Sequence, residues 1–254
     1  MPRLEELRVK IFADGADLAT IAELAKHPYI RGFTTNPTLM RKAGVQDYRQ
    51  FAREVLTLVP DRPVSFEVFS DDFPEMEQQA LEIASWGDNV YVKIPVTNTR
   101  GAFSDPLIKR LSEAGVKLNV TALLMTEQVG RVTDCFSPGR SSFISVFAGR
   151  IADTGRDPVP LMAESLRLMA SRPQAELIWA SPRELLNVIQ ADAIGCHIIT
   201  ATSDILTKLS LIGKDLSEFS LDTVRMFRQD ALQAGFTIEL SQAEAVGSAA
   251  AAPR

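Results

Sequence analysis

A lysine lies in the middle of an apolar, strand-like run of this sequence. Lys93 is flanked by Val92 and Ile94 in the segment Tyr91-Val92-Lys93-Ile94-Pro95-Val96-Thr97. Burying an ammonium group is costly, because burial disfavours the charged form of an amine. A neutral amine, in contrast, is a nucleophile that attacks a carbonyl carbon and forms a Schiff base. The run therefore has two interpretations: a nucleophilic lysine, or an edge strand whose lysine points to water.

Two acidic residues also belong to strand-like runs. Asp14 ends the apolar run Ile11-Phe12-Ala13, and Glu67 interrupts the run Val64–Val68. A carboxylate is seldom fully buried without a partner, so Glu67 is expected to be paired. Asp14 has an alternative structural role as the cap of the helix that follows it.

Polar side chains recur at the ends of the other strand-like runs. They comprise hydroxyls, amides and two arginines: Thr35, Asn36, Asn119, Thr121, Ser145, Arg150, Ser181 and Arg183. Each has an ordinary alternative, such as a strand-to-helix turn or, for the arginines, a surface ion pair. Their joint occurrence favours one site, because the carboxyl ends of parallel barrel strands meet at one face.

The elements that would position these residues alternate regularly along the chain. Predicted strands cover Val9–Asp14, Gly32–Thr35, Val64–Val68, Val90–Ile94, Lys117–Val120, Phe143–Phe147, Glu176–Ala180 and Cys196–Thr200. Helical periodicity predicts intervening helices over Leu18–Ala25, Tyr48–Leu58, Pro74–Ser85, Pro106–Ala114, Thr126–Cys135, Pro160–Met169 and Pro182–Gln190. This alternation predicts parallel βαβ units and a single (β/α)8 TIM barrel.

A doubly wound open sheet is the alternative to the barrel. Such a sheet normally carries a glycine-rich phosphate loop after its first strand, and Asp14-Gly15-Ala16-Asp17 is not G-x-G-x-x-G. The 254 residues suit one barrel of about 250 residues. We assign residues 1–241 to the barrel and an additional C-terminal helix, with helical stretches at Ile205–Leu211, Ser217–Glu218 and Asp222–Ala234. The alanine-rich residues 242–254 have no periodic pattern and are predicted to be disordered.

Composition excludes several classes of partner and site. The net charge of -5 argues against a nucleic-acid partner that needs a basic surface. Cys135 and Cys196 have no spacing typical of a disulfide framework or a zinc site, and His27 and His197 are isolated, so we expect structural roles for the histidines. No signal-like segment or membrane-length apolar run is present, which predicts a cytoplasmic protein without a membrane partner.

Several segments resemble the transaldolase family, in the short-chain branch that also includes the fructose-6-phosphate aldolases. In chain order they are IFADGAD, GFTTNPTLM, VSFEVFS, YVKIPVTNT, KLNVTALL, FISVFAGRIAD and IWASPRE. The resemblance runs from about Val9 to about Arg183, and more loosely to the C-terminal helix. TTNP and VKIPVT together are highly specific for this family.

The resemblance implies a role for each predicted site residue. Lys93 is expected to form the Schiff base with a dihydroxyacetone unit, and Asp14 to act as the acid/base in carbon–carbon cleavage. Glu67 and Thr121 are expected to orient a catalytic water. The implied substrate-binding residues are Asn36, Asn119 and Ser145 at the three-carbon unit, Arg150, Ser181 and Arg183 at the phosphate, and Thr35 and Phe147.

Two positions distinguish the branches of the family. Glu67 and Phe147 resemble transaldolases, whereas fructose-6-phosphate aldolases have glutamine and tyrosine there. This favours transfer to an aldose phosphate over release of free dihydroxyacetone, which is the alternative activity. Pro182 and the Val146–Ala148 segment depart from the family pattern beside the implied phosphate site. These departures leave the anionic group of the donor open.

The resemblance also bears on cofactors and assembly. No metal or organic cofactor is implied, because the protonated imine acts as the electron sink. The expected partners are small-molecule sugar phosphates and further copies of the chain, as a pentamer or decamer with the C-terminal helix packed on a neighbour. A non-catalytic barrel with a binding role is a third hypothesis. Loss of Lys93, Asp14 or Glu67 would have favoured it, and all three are present.

Overall fold

The computed structural model describes residues 2–238 and contains eight parallel strands that close into a barrel. The strands are β1 (Lys10–Asp14), β2 (Ile30–Thr34), β3 (Val64–Glu67), β4 (Val90–Pro95), β5 (Leu118–Leu123), β6 (Ser142–Val146), β7 (Ala175–Trp179) and β8 (Ile198–Ala201). Each strand pairs with the next in chain order, and β8 pairs with β1. The predicted (β/α)8 barrel is confirmed, and the open-sheet alternative is wrong.

Helices follow the strands along the chain, and α11 comes after the last of them. They are α1 (Leu18–Ala25), α2 (Pro37–Lys42), α3 (Tyr48–Leu58), α4 (Phe73–Ala84), α5 (Asp105–Glu113), α6 (Thr126–Cys135), α7 (Ala148–Ala152), α8 (Val159–Met169), α9 (Leu186–Ala193), α10 (Ser203–Leu206) and α11 (Leu216–Gln233). Short 3-10 helices cover Leu4–Glu6 and Thr207–Leu211.

Side-chain caps fix where several of these helices begin. An Asp or Asn side chain at the N-cap accepts a hydrogen bond from a backbone amide of the first turn, which satisfies a donor that has no partner inside the helix. A proline in the first turn of α2, α4 and α5 costs no hydrogen bond there. The capping residues of α1, α2, α3, α4 and α11 are Asp17, Asn36, Asp47, Asp72 and Asp215.

Some predicted helix boundaries are wrong. The helix predicted from Pro182 begins at Leu186, because Ser181 has a φ of 60° and Asn187 Oδ1 accepts from the amides of Arg183 and Glu184. The short helices α2 and α7 were not predicted. The two stretches predicted at Ser217–Glu218 and Asp222–Ala234 are one continuous helix, α11.

The barrel interior is layered along the strands. Its lower layer is apolar and aromatic, and the Tyr91 and Phe143 rings stack with centroids 3.9 Å apart. Gly32 makes room for this layer, because a Cβ there would lie 2.5 Å from the Phe12 ring. Since side chains two residues apart share a strand face, the next layer towards the C-terminal ends also points inward. That layer is polar and includes Asp14, Lys93, Ser145 and Thr200.

The described chain divides into two compact units. The first ends at Ile212 and contains the barrel, and the second begins at Gly213 and contains α11. The predicted tail over residues 242–254 lies outside the described residues, so the domain assignment stays a prediction. No helix of the described part has the length and apolar character needed to cross a membrane.

Candidate active site

A cavity of about 390 Å³ opens at the C-terminal ends of the barrel strands. This is the face that carries the active site in barrels of this kind. Of the predicted site residues, all but Thr35 and Arg183 line the cavity. The predicted residues in its wall are Asp14, Asn36, Glu67, Lys93, Asn119, Thr121, Ser145, Phe147, Arg150 and Ser181.

Lys93 is buried in the cavity wall, with 6% of its surface exposed. Its Nζ lies 3.0 Å from Glu67 Oε2 and donates to the carbonyl oxygen of Thr35 at 2.7 Å. Glu67 and Lys93 are direct neighbours in the β3–β4 register, so the two side chains point to the same space. The lysine is therefore paired inside a closed barrel, and the interpretation of an exposed strand face is wrong.

Asp14 lies across the cavity at the end of β1. Its carboxylate accepts hydrogen bonds from Thr34 Oγ1 at 2.8 Å and from Asn36 Nδ2 at 3.4 Å. Burial raises the pKa of Asp14, and the charge of Lys93 and the bond from Thr34 partly oppose this increase. The cap of α1 is Asp17 instead, which leaves the Asp14 carboxylate free for chemistry.

Asn36 has a structural and a site role at once. Its Oδ1 caps α2 by accepting from the Leu39 amide at 3.0 Å, so its Nδ2 is left to face Asp14. The predicted alternative of an ordinary strand-to-helix turn is therefore also correct, because the turn itself orients the amide.

A chain of buried polar side chains links β3, β5 and β6 at the cavity wall. Asn119 Nδ2 donates to Ser65 Oγ at 3.0 Å, and Ser145 Oγ donates to Asn119 Oδ1 at 2.7 Å. All three side chains are buried. Because each polar atom of Asn119 has a partner, the side chain is fixed in one orientation towards the cavity.

An irregularity in β5 brings two consecutive residues to the cavity. The β5–β6 register shifts between Val120 and Leu123, and Ala122 has a φ of 67°. As a result both Thr121 and Ala122 line the cavity, whereas Leu123 packs in the outer core. Local irregularities of this kind re-aim side chains near active sites.

At the implied phosphate end, helix α7 and the β7–α9 loop lie in close contact. A Cβ at Gly149 would lie 1.6 Å from the Ser181 carbonyl oxygen, so only glycine fits where α7 meets the β7–α9 loop. Arg150 and Ser181 line the cavity. Arg183, predicted to line it too, instead donates from Nε to Asp153 Oδ1 at 2.8 Å and from Nη1 to Ser181 Oγ at 2.9 Å.

Thr35 also differs from its predicted placement. Its hydroxyl donates to the Ser65 carbonyl oxygen at 2.9 Å and does not line the cavity, whereas its own carbonyl accepts from Lys93. A side chain was predicted to contact substrate here, and the backbone takes part in the site instead.

Two buried polar residues of the site were missed, Thr34 and Thr200. Both line the cavity, and their hydroxyl oxygens lie 2.6 Å apart. Because the Thr34 hydroxyl donates to Asp14, the proton between the two threonines comes from Thr200. Thr200 ends a predicted strand, so the rule that selected the other polar residues would also have selected it.

The histidines and cysteines lie in the packed structure outside the cavity wall. His197 Nδ1 accepts from the Leu177 amide at 2.9 Å, and burial lowers its pKa. His27 stacks on Tyr29. Burial raises the pKa of Cys135 to about 11 and that of Cys196 to about 12, so neither thiol is a ready nucleophile. Over residues 2–238, no group of three His, Cys, Asp or Glu side chains is placed to hold a metal ion.

The geometry combines an amine, a carboxylate beside it and a second carboxylate across the same cavity. An amine can form an imine with a ketone, and separate carboxylates can act as general acid and base on the adduct. The buried amides and hydroxyls between them suit a polyhydroxylated substrate.

Comparison with known proteins identifies the group to which the chain is related. A model of the transaldolase/fructose-6-phosphate aldolase family matches residues 11–247. A probable transaldolase of Streptococcus agalactiae is 35% identical over 216 residues, which cover 85% of this chain and 95% of the relative. A probable transaldolase of Dehalococcoides mccartyi is 33% identical over 204 residues, which cover 79% of this chain and 90% of the relative.

Solved structures support the fold alone. KGPDC from Streptococcus mutans aligns with a TM-score of 0.56 at 11% identity, over 78% of this chain and 89% of that one. A putative lyase/mutase from Burkholderia cenocepacia also aligns with a TM-score of 0.56 at 13% identity. The alignment covers 90% of this chain and 85% of that one. With the match of the family model and the two relatives, the sequence comparisons are decisive: the chain belongs to the transaldolase/fructose-6-phosphate aldolase family.

Proposed function

We propose that this protein is a transaldolase that uses Lys93 to transfer a dihydroxyacetone unit from a ketose phosphate to an aldose phosphate. Suitable donors are sedoheptulose 7-phosphate and fructose 6-phosphate. The observation that carries the proposal is the buried Lys93 amine, 3.0 Å from Glu67 in a cavity also lined by Asp14. Family membership supports this chemistry without specifying the sugars.

The first step is imine formation. The Lys93 nitrogen, once neutral, attacks the ketone carbon of the donor, and the carbonyl electron pair takes a proton to give a carbinolamine. Loss of the hydroxyl as water then gives a protonated imine. Glu67 contacts the Lys93 amine and is the acid/base in reach of it, and Thr121 lines the same cavity and would help to hold the water.

The second step breaks the carbon–carbon bond. Asp14 takes the proton of the C4 hydroxyl, the C3–C4 bond breaks, and its electron pair moves into the imine to form an enamine on Lys93. The aldose phosphate leaves as an aldehyde. The enamine then attacks the acceptor aldehyde, and Asp14 returns the proton to the new hydroxyl. Hydrolysis of the imine releases the product and restores the amine.

Binding groups at the two ends of the cavity have different tasks. Asn36, Asn119 and Ser145 would hydrogen-bond the hydroxyls of the three-carbon unit near Lys93. Arg150 and Ser181 would bind the phosphate, since a guanidinium fork suits phosphate oxygens. Arg183 would support this end through its bond to the Ser181 hydroxyl. Phosphate binding far from the reacting carbons can fix their orientation.

An aldolase that releases free dihydroxyacetone is the second candidate. Phe147 favours transfer over this activity, because its ring lines the cavity and offers no hydroxyl to position a hydrolytic water. The two activities differ in their need for an acceptor. We expect turnover of fructose 6-phosphate to depend on an added aldose phosphate; equal turnover without acceptor, with free dihydroxyacetone as product, would favour the aldolase.

We also propose that the enzyme acts in the cytoplasm, in the pentose phosphate pathway, as a homo-oligomer. The second compact unit supports assembly through α11, in which no side chain is buried. Large apolar side chains are exposed along this helix: Leu216, Phe219, Val224, Met226 and Phe227. Clusters of exposed apolar side chains can mark interaction sites, and a second copy of the chain is the proposed occupant.

A further inference from the structure

The backbone ladder between β2 and β3 lacks a hydrogen bond beside the site. Hydrogen bonds between parallel strands are evenly spaced. The Thr35 amide donates to the Ser65 carbonyl at 3.2 Å, and the same spacing would next join the Glu67 amide to the Thr35 carbonyl. The Glu67 amide instead donates to the hydroxyl of Tyr48 at 2.7 Å.

The carbonyl of Glu67 also lacks a partner from β2. The next donor in the ladder would be the amide of residue 37, and Pro37 has no N–H. The Tyr48 hydroxyl donates to this carbonyl at 3.0 Å. One hydroxyl therefore satisfies both backbone groups of Glu67 that the ladder leaves unpaired.

This arrangement releases an acceptor to the catalytic amine. The Thr35 carbonyl, which the ladder would have paired with the Glu67 amide, accepts from Lys93 Nζ at 2.7 Å. In a regular ladder the amide and the amine would have to share this one oxygen. With Tyr48 bonded to the amide, the carbonyl is available to the lysine.

Tyr48 is fixed well enough to hold this position. Its ring lies between aromatic neighbours, 4.6 Å from the Phe69 centroid, 5.4 Å from that of Trp86 and 6.1 Å from that of Phe66. Burial raises the pKa of Tyr48, so its hydroxyl keeps the proton that it donates to the Glu67 carbonyl.

Building on the proposed function, we propose that Tyr48 is a positioning residue for the Schiff-base site. Its hydroxyl holds Glu67 in the register that faces Lys93 and keeps the Thr35 carbonyl available to the amine. Without the hydroxyl, the Glu67 amide turns to the Thr35 carbonyl, because a buried unpaired amide is costly. The lysine then has to share this acceptor with the amide, and the Glu67 carboxylate moves with its backbone.

Tyr48→Phe tests this inference, with Tyr91→Phe as the matched control. The ring of Tyr91 also packs against an aromatic ring, that of Phe143. Tyr91 belongs to the lower layer of the barrel, away from the cavity, and its hydroxyl lies 2.6 Å from Ser141 Oγ. We expect Tyr48→Phe to lower kcat and the rate of borohydride trapping with dihydroxyacetone by about 10–100-fold, as a displacement of about 1 Å can. KM for the donor should not change, because the substrate-binding side chains are untouched. Tyr91→Phe should match the wild type in kcat, in the trapping rate and in KM for the donor.

The outcomes separate this inference from the proposed function. No trapping at Lys93 in the wild type would overturn the proposed function and, with it, the role of Tyr48. Normal trapping in the wild type with equal rates in Tyr48→Phe would overturn only the role of Tyr48. Equal losses in Tyr48→Phe and Tyr91→Phe would also overturn it, since they would indicate a general loss of packing.

A second measurement reports the ladder directly. In a crystal structure of Tyr48→Phe, we expect the Glu67 amide within hydrogen-bond distance of the Thr35 carbonyl and the Lys93 amine displaced from it. An unchanged hydrogen bond from Lys93 to Thr35 would contradict the inference.

If Tyr48→Phe does not fold, 3-fluorotyrosine at position 48 keeps the ring and weakens the hydroxyl as an acceptor. A smaller fall in the trapping rate is then expected, and a wild-type rate would contradict the inference.

Discussion

The Lys93 amine is held by two acceptors of different kinds, the Glu67 carboxylate at 3.0 Å and the Thr35 carbonyl at 2.7 Å. A carbonyl oxygen cannot take a proton from an ammonium group at ordinary pH, whereas a carboxylate can. Glu67 is therefore the contact suited to act as acid or base in the proposed imine step, and Thr35 orients the nitrogen. Asp14 makes no hydrogen bond to Lys93 within the described residues, so the two carboxylates can serve different steps.

Replacement of Asp14 should separate carbon–carbon cleavage from imine formation. Asp14→Asn removes the proposed base for the C4 hydroxyl, so transfer should fall by about 10²–10⁴-fold, the usual contribution of a general acid/base. Borohydride trapping of dihydroxyacetone on Lys93 should persist in this variant. Asp17→Asn is the matched control, because Asp17 caps α1 and asparagine also caps helices. Loss of trapping in folded Asp14→Asn would contradict the assignment.

The activity of the enzyme and the stability of its fold should both depend on pH through Asp14. Burial raises the pKa of Asp14, and the proposed base must be ionised to accept a proton. kcat/KM for cleavage should therefore fall as pH drops through a value above the ordinary aspartate pKa of about 3.9. The same shift means that the folded state loses stability as pH rises through this range, because the ionised form is disfavoured by burial.

A pH series of kcat/KM and of the free energy of unfolding checks both effects. Asp14→Asn should lack the acidic limb in its residual activity and should gain stability over the wild type as pH rises towards neutrality. An acidic limb at or below the ordinary aspartate range would show that Asp14 is not the base.

Helix α7 and the β7–α9 loop lie in close contact at the proposed phosphate end. Gly149→Ala would place a Cβ 1.6 Å from the Ser181 carbonyl oxygen, so α7 and the β7–α9 loop must separate. We expect KM for the phosphorylated donor to rise at least about tenfold, while trapping of unphosphorylated dihydroxyacetone stays near the wild-type rate. Gly130→Ala in α6 is the control, since a Cβ there meets nothing within 4 Å. Equal effects on both substrates would contradict the placement of the phosphate.

The same elements show what the sequence could and could not predict. Strands were recognisable because each is an apolar run with polar residues at its end, and α1, α3 and α6 were predicted with their observed bounds. The helices α2 and α7 have six and five residues, too few to establish a helical period. The sequence left open whether Lys93 points inward or to water, and the β3–β4 register of the closed barrel places it beside Glu67.

Side-chain partners were harder to predict than strand positions. Arg183 was expected at the phosphate, but the carboxylate of Asp153, thirty positions earlier in the chain, takes its guanidinium. Sequence distance gives no information on such a pair. The role of the Thr35 carbonyl was equally hidden, because every residue has a carbonyl and only the interrupted ladder makes this one an acceptor for Lys93.

At the scale of the whole molecule, the second compact unit leads to a prediction on assembly. Val224 and Phe227 of α11 are 60% and 63% exposed, so charges there should disrupt a contact between copies of the chain. We expect Val224→Glu with Phe227→Glu to lower the mass measured by light scattering to that of the monomer. Gln229→Glu with Gln233→Glu adds the same charge at polar positions and should leave the assembly intact. A monomeric wild type would contradict homo-oligomerisation.

The closed barrel explains why residues from separate parts of the chain can act together. Eight strands end at one face, and their inward side chains change from an apolar lower layer to a polar upper one. The apolar layer packs beneath the polar one as a buried cluster. The site is thus a property of the complete barrel, because no strand contributes more than three of the residues that line the cavity.

The most direct test of the central claim is borohydride reduction in the presence of fructose 6-phosphate, followed by intact and peptide mass spectrometry. We predict a three-carbon adduct on the peptide that contains Lys93, and no adduct in folded Lys93→Ala. Free dihydroxyacetone, tested in parallel, should label the same peptide. A folded wild-type protein that neither substrate labels would contradict imine catalysis by Lys93.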